Sequence, residues 1–436
     1  MSIQKFKWTR VPILLTAALL ILLAGPALAS IDGVETTTLN LTARTDYISN
    51  PDGGSMLVWG YSDNAGWQPA RAQYPGPTLI VTQGEEVTIT LKNELTAKGG
   101  APNVSIVFPG MQNVVASGGV AGELTQEAVV GDLVGVTYTF TANKPGTYLY
   151  HSGTQPDIQM EMGLFGAIIV RPNMGANYAY NHADTQFDRE YLFILSEMDP
   201  NFHQKVEFYG PNHQKVTSAD YLTDYFPAYW FLNGRNAPDT LTGPQVPWLP
   251  VQPYNSLPLM HPGDRVLMRV VDAGRDMHPF HHHGNHARVI AHDGNLLESA
   301  QGVGPDLSYE VFTITAQPGK TTDAIFTWTG KDLGWDIYGH AAGDPMEPNE
   351  YAPDHGKALP VDLPDNQELT FGGFYGGGPF LGTLGALPPG EGGLNPNAGF
   401  AYMWHSHTEK EIVNWDLFPG GMLTMLIIEP PGTVIP

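Results

Sequence analysis

The chain has 436 residues, no cysteine, and 44 acidic against 21 basic side chains, for a formal charge of −23. That charge argues against nucleic acid and anionic membrane surfaces as partners. The missing cysteine removes disulfides, thiolate zinc sites, iron–sulfur clusters, a cysteine nucleophile and a cysteine-ligated blue-copper centre.

Residues 1–29 have the layout of a secretory signal. Lys5, Lys7 and Arg10 give a basic start, Val11 to Leu23 is an apolar run, and Ala27-Leu28-Ala29 is a small-x-small cleavage site. The run is shorter than the roughly 20 residues a spanning helix needs. An exported protein, periplasmic or extracellular, with no membrane span after signal cleavage is therefore expected. Beyond it, apolar and polar residues alternate with the period of a strand. Val87, Ile89 and Leu91 interleave with Thr88, Thr90 and Lys92, and Val136, Tyr138 and Phe140 interleave with threonines. The same pattern predicts strands at Tyr191–Leu195, Val266–Val271, Val311–Ala316, Ala324–Trp328 and Met422–Ile428.

Amphipathic helical windows are scarce, and 50 glycines with 37 prolines supply turns. The expected class is all-β, built of β-sandwiches. A phrase recurs along the chain. Pro77-Thr78-Leu79 and Gly84-Glu85-Glu86 precede one strand, while Pro238-Asp239-Thr240 and Pro262-Gly263-Asp264-Arg265 precede another. Each unit then reaches a Pro-Gly, at Lys144-Pro145-Gly146 and at Gln317-Pro318-Gly319. Two copies of one sandwich are predicted, at 31–172 and 188–436, with a Gly/Pro-rich insertion at about 331–399 that is long for a loop and so a candidate for function.

Histidine carries the chemical signal. Six of the 15 fall in 278-HPFHHHGNHARVIAH-292 and two in 404-WHSH-407. On a strand, residues two apart share a face, so His281 with His283, and His405 with His407, can point into one pocket. Four imidazoles suit copper, zinc, iron or nickel. His182, His203, His213 and His355 sit in polar segments and read as ordinary polar residues, while His261 and His340 are open. His282 and His286 are expected to face away from the cluster or to lie in the turn. No G-x-S-x-G elbow, H-E-x-x-H helix, P-loop or dinucleotide fingerprint occurs.

HPFHHHG ahead of a strand, with WHSH near the C-terminus, resembles the last two copper motifs of the multicopper oxidases. PGPTLIVTQGEEVTITLKN at 75–93, GTYLYHSGTQPDIQMEMGLFGAIIVRP at 146–172 and FLNGRNAPDT at 231–240 extend the likeness over nearly the whole chain. The resemblance implies two cupredoxin-like Greek-key domains, similar to two-domain laccases and more distantly to copper nitrite reductases. It implies ligands at His151, His281, His283, His405 and His407 for the family's trinuclear centre, and at His278 for its type 1 centre. The pattern is damaged. Val107 and Pro109 stand where the first motif has histidines, Ser406 stands in place of the type 1 cysteine, and Glu411 in place of the following histidine. The axial methionine falls at best on Met422. Met160 and Met162, just past His151, are soft donors that more often serve packing.

A serine hydroxyl cannot supply the thiolate bond of a blue-copper site, so ordinary laccase turnover is not expected. The expectation is an exported copper-binding protein holding one or two ions, with either a small-molecule oxidoreductase or a copper-handling role. Its substrate and electron-transfer partner are unspecified. Relatives of this kind imply a homotrimer, with His151 meeting the other histidines across an interface. The alternative is a metal-free cupredoxin-fold binding or structural protein of the cell envelope.

Overall fold

The computed structural model describes residues 31–64, 70–95, 102–132, 134–209, 224–331, 333–334, 336–341, 343–357, 377–380, 399–429 and 432–435. The signal segment and much of 331–399 lie outside these described residues. The strand built on Val87 spans Glu86–Asn93 and buries every second residue, as does Val136–Thr141. In the first sandwich a five-stranded sheet runs Ser55–Ser62, Thr38–Ser49, Glu86–Asn93, Val136–Thr141, Val115–Gly118. It faces a four-stranded one of Val34–Glu35, Leu79–Thr82, Phe165–Arg171 and Gly146–His151. Leu39, Trp59, Ile89, Tyr138 and Ile168 fill the space between.

The second sandwich repeats the plan. One sheet holds Arg189–Met198, Arg265–Asp272, Thr321–Thr327 and Ala287–His292. The other holds Leu423–Ile428, Gly399–Ser406, His278–His282 and Thr313–Ala316. Phe193, Met268, Phe280, Phe326 and Trp404 form its core. The fold is all-β, of cupredoxin type. The single strand expected at Val311–Ala316 divides at Phe312. Tyr309–Val311 pairs with Ala287–Val289 in one sheet, and Thr313–Ala316 pairs with His278–His281 in the other. The chain switches sheets at that residue, as strands do at the corners of sandwiches.

A helix at Pro200–Tyr209 was not expected. Proline suits its first turn, where no amide partner is needed, and the Asp199 carboxylate accepts the Asn201 N–H at 2.8 Å as an N-cap. Its Phe202 and Val206 are buried in the core of the first sandwich. A third apolar cluster joins the sandwiches: Ile48, Val58, Leu149 and Phe165 from the first meet Ile194, Met198, Phe231 and Val271 from the second. Across this seam Thr147 donates its hydroxyl to Asp323 at 2.6 Å and accepts from Arg269 at 3.0 Å. These buried hydrogen bonds offset part of the cost of desolvating Thr147, Arg269 and Asp323 at the seam.

Candidate metal centre

The alternation of His278–His282 decides which histidines meet. His278, Phe280 and His282 are buried, whereas Pro279 and His281 lie on the opposite, partly open face. Phe280 anchors the inner face through Phe193 (ring centroids 5.2 Å) and Trp404 (6.5 Å). The neighbouring strand runs antiparallel and sets His281 opposite His405. Trp404 also donates its indole N–H to the His283 carbonyl at 3.1 Å, which holds the main chain of the second ligand candidate. As a result His281, His283 and His405 bring one ring nitrogen each to within 4.8 Å of one another. The His407 ring lies alongside, 4.8 Å from His281 between centroids and 5.7 Å from His405, but its side chain is exposed.

Hydrogen bonds orient these rings from behind. His405 Nδ1 lies 2.6 Å from the Ser406 carbonyl, an obligate acceptor, so Nδ1 carries the proton and Nε2 is a lone-pair donor. His281 Nδ1 is 2.8 Å from the Thr313 hydroxyl. Within the cluster itself, His283 Nε2 and His405 Nε2 face each other at 3.2 Å. Burial, reinforced by the nearby His283, His405 and His407, lowers the His281 pKa to about 4, and burial lowers that of His405. Both are therefore neutral near neutral pH, the state in which imidazole binds metal. Ligating histidines characteristically give their other ring N–H to a carbonyl or hydroxyl in this way.

His151 is not among the residues that converge there. It closes the strand Gly146–His151, where Val107 donates its N–H to the His151 carbonyl at 2.8 Å and accepts the His151 N–H at 3.2 Å. Its Nδ1 is 2.9 Å from the Ser152 carbonyl, the same arrangement as His405 with Ser406, and burial lowers its pKa. Val107 thus occupies in the first sandwich the place that His281 takes in the second. Gly153 follows suit: a Cβ there would come 2.6 Å from Val107 Cγ1. With Val107 in place, a side chain at 153 would meet it, so neither position supplies an imidazole beside His151.

His278 is separate from the cluster. Buried on the inner face, it lies 2.9 Å from Glu197 Oε2 through Nε2 and 2.9 Å from Glu411 Oε2 through Nδ1. Ser406 donates its hydroxyl to the same Glu411 oxygen at 2.5 Å. Burial alone would lower the His278 pKa, but the bonds to Glu197 and Glu411 outweigh it and raise the value to about 10. The three positions that the resemblance assigned to a type 1 copper, His278, Ser406 and Glu411, are joined by Glu197 into a proton-bridged ion cluster. With both ring nitrogens engaged, His278 departs from the expected metal-ligand role, because an imidazolium has no lone pair to offer. Met422 is packed in the core of the second sandwich. Met162 is buried in the first core and Met160 packs against the seam between the sandwiches. His282 also turns inward, 3.0 Å from the Val311 carbonyl.

Two features escaped the sequence reading. The tetrapeptides 151-HSGT-154 and 405-HSHT-408 form an internal repeat, and in each the serine hydroxyl accepts the threonine N–H two residues on, at 3.1 and 3.2 Å. Within 331–399, His340 and His355 come together with Asp336 and Glu350. These residues span a Gly- and Pro-rich stretch without periodicity, and only the closed loop brings them into contact.

Residues 66–175 match the family model described as multicopper oxidase. A stretch of 158 residues is 30% identical to copper resistance protein A of Escherichia coli, covering 34% of this chain and 23% of that protein. Another of 148 residues is 26% identical to L-ascorbate oxidase of Nicotiana tabacum, covering 34% and 22%. The matched stretch thus spans less than a quarter of either relative's own length. Among solved structures, the blue copper oxidase from Nitrosomonas europaea aligns over 89% of this chain and 85% of its own, with a TM-score of 0.55 and 18% identity. The multicopper oxidase mgLAC aligns over 92% and 88%, with a TM-score of 0.55 and 19% identity. At these identities the likeness is one of fold.

Proposed function

Starting from a multicopper oxidase relative that has no cysteine, we propose that this protein is an exported copper-binding protein whose ion is held by His281, His283 and His405. The supporting observation is the convergence of three ring nitrogens within 4.8 Å, two of them on side chains kept neutral by burial. An all-imidazole donor set suits copper. Bound there, the ion would supply exchange of single electrons between its two oxidation states.

The chain's own groups orient and protect the donors. Thr313 and the Ser406 carbonyl fix two rings, Trp404 fixes the backbone of the third, and His407 stands at the rim. One ion is what three convergent donors accommodate. A second would draw on His407 and on His151 brought by another copy of the chain, and we propose a homotrimer for that reason. The chain has no cysteine, so no blue-copper electron entry point accompanies the site. The type 1 positions hold a proton shared among His278, Glu197 and Glu411 instead of a thiolate. Holding and handing on copper needs nothing further from the chain, whereas oxidation of a small molecule would need an outside electron partner.

Equilibrium dialysis against copper, followed by metal analysis, tests the reading. About one copper more per chain is expected in the unaltered chain than in the His281→Ala/His405→Ala variant. A difference below about 0.2 would overturn the reading and leave no copper function at this cluster.

A further inference from the structure

The segment that follows the strand Thr321–Thr327 folds into a loop closed at its base, where Asp336 donates its N–H to the Lys357 carbonyl at 2.7 Å. Leu333 and Ile337 pin one end in the core of the second sandwich, and Asn349 donates its side-chain amide to the Gly263 carbonyl at 3.0 Å. Inside the loop the ligand atoms of Asp336, His340, Glu350 and His355 all lie within 4.8 Å of one another. Both carboxylates are only 2% exposed, and the two imidazoles are 13% and 20% exposed.

The atoms that face each other are of one kind. His340 Nδ1 is 3.0 Å from Asp336 Oδ2 and 3.2 Å from Glu350 Oε1, and His355 Nδ1 is 2.7 Å from that same Glu350 oxygen. His355 Nε2 lies 3.0 Å from the Asp344 carbonyl, which can only accept, so the ring proton of a neutral His355 sits on Nε2. Its Nδ1 then presents a lone pair to a carboxylate oxygen, an arrangement satisfied by a metal ion or by a second ring proton between them. A further buried acceptor lies on the same loop. Asp354 Oδ2 has no hydrogen-bond partner, and Asp354 lines the same small cavity as Asp336, Tyr338 and Glu350. A tetrahedral ion with bonds of about 2.0–2.1 Å spaces its ligands about 3.3 Å apart; two of the facing pairs, at 3.0 and 3.2 Å, lie near that spacing, and the 2.7 Å pair would open slightly on binding.

We propose that Asp336, His340, Glu350 and His355 form a second metal site, a closed two-histidine, two-carboxylate site for a divalent transition ion of the zinc type. It ties the two ends of the 336–357 loop together. Four protein donors leave no open position, which marks a structural role. The site shares no residue with the His281 cluster and does not rest on the copper reading.

Zinc titration of the metal-stripped full chain tests this, with His281→Ala/His283→Ala/His405→Ala as the background that removes the other imidazole cluster. The background is expected to take up about one zinc, and adding His340→Ala/His355→Ala should weaken zinc binding by at least about 100-fold. Glu350→Gln preserves size and should weaken it by at least about tenfold, which keeps the test decisive if the double histidine variant does not fold. In the unaltered chain the same substitution should weaken one zinc equivalent by the same factor and leave the other unchanged. A background that takes up no zinc, or zinc affinity unmoved by Glu350→Gln, would show a proton-bridged network instead and overturn the proposal.

Discussion

The two HSxT tetrapeptides, 151–154 and 405–408, share a backbone and differ in what surrounds it. In both, the histidine binds the following carbonyl through Nδ1, and its main chain lies opposite a strand neighbour. That neighbour is His281 in the second sandwich and Val107 in the first. Behind the serine, the second sandwich has an anionic acceptor, Glu411, while the first has a neutral one, Gln159 at 2.6 Å. The β pairing thus survives the loss of the chemistry it positions, because backbone hydrogen bonds set the register and the side chains only ride on it.

The largest expected effect comes from the buried charge that the surroundings of the first tetrapeptide lack. His278→Leu leaves Glu197 and Glu411 buried without their cation, which should cost about 3–5 kcal/mol of unfolding free energy in urea titration. An unchanged value would mean that the two regions do not differ in buried charge. The same group predicts a pH dependence. A histidine in the unfolded chain titrates near about 6.5, and His278 in the folded chain near about 10. Its stabilisation is therefore full below the lower value, declines as pH rises between them, and is gone above about 10. The stability of the unaltered chain should fall across that window, and the His278→Leu variant should lack that component.

A smaller effect separates the serines. Ser406→Ala removes a hydrogen bond to a carboxylate and should cost about 1.5–3 kcal/mol, whereas Ser152→Ala removes one to an amide and should cost about 0.5–1.5 kcal/mol. Equal costs, read by denaturant midpoints, would erase the contrast. Copper uptake should be unaffected by either substitution. The smallest effect concerns the first-sandwich histidine itself. If a second copy of the chain delivers His151 to the site, His151→Ala should weaken copper binding about tenfold, or about 1.4 kcal/mol, with a dependence on protein concentration. No change would confine the site to one chain.

Much of this was legible in the sequence. Alternation at Val87, Ile89 and Leu91 marked a half-buried strand, and the two-residue spacing of His281 with His283 placed them on one face, because a strand imposes period two on whatever it carries. The family pattern then gave Ser406 and Glu411 their meaning. The ion cluster around His278 was not legible, since Glu197 is 81 residues away and only sheet packing brings it in. The helix Pro200–Tyr209 also escaped, because it is short and its buried Phe202 and Val206 pack on the first sandwich from a position in the second unit. His340 and His355 belong to the same class: their partnership depends on loop closure, for which no periodicity exists.

Electron paramagnetic resonance of the copper(II)-loaded chain tests the central claim most directly. Coupling to three imidazole nitrogens, lost in His281→Ala/His405→Ala and retained in Glu350→Gln, is the predicted result. A spectrum without nitrogen coupling, or one unchanged by loss of His281 and His405, would contradict it.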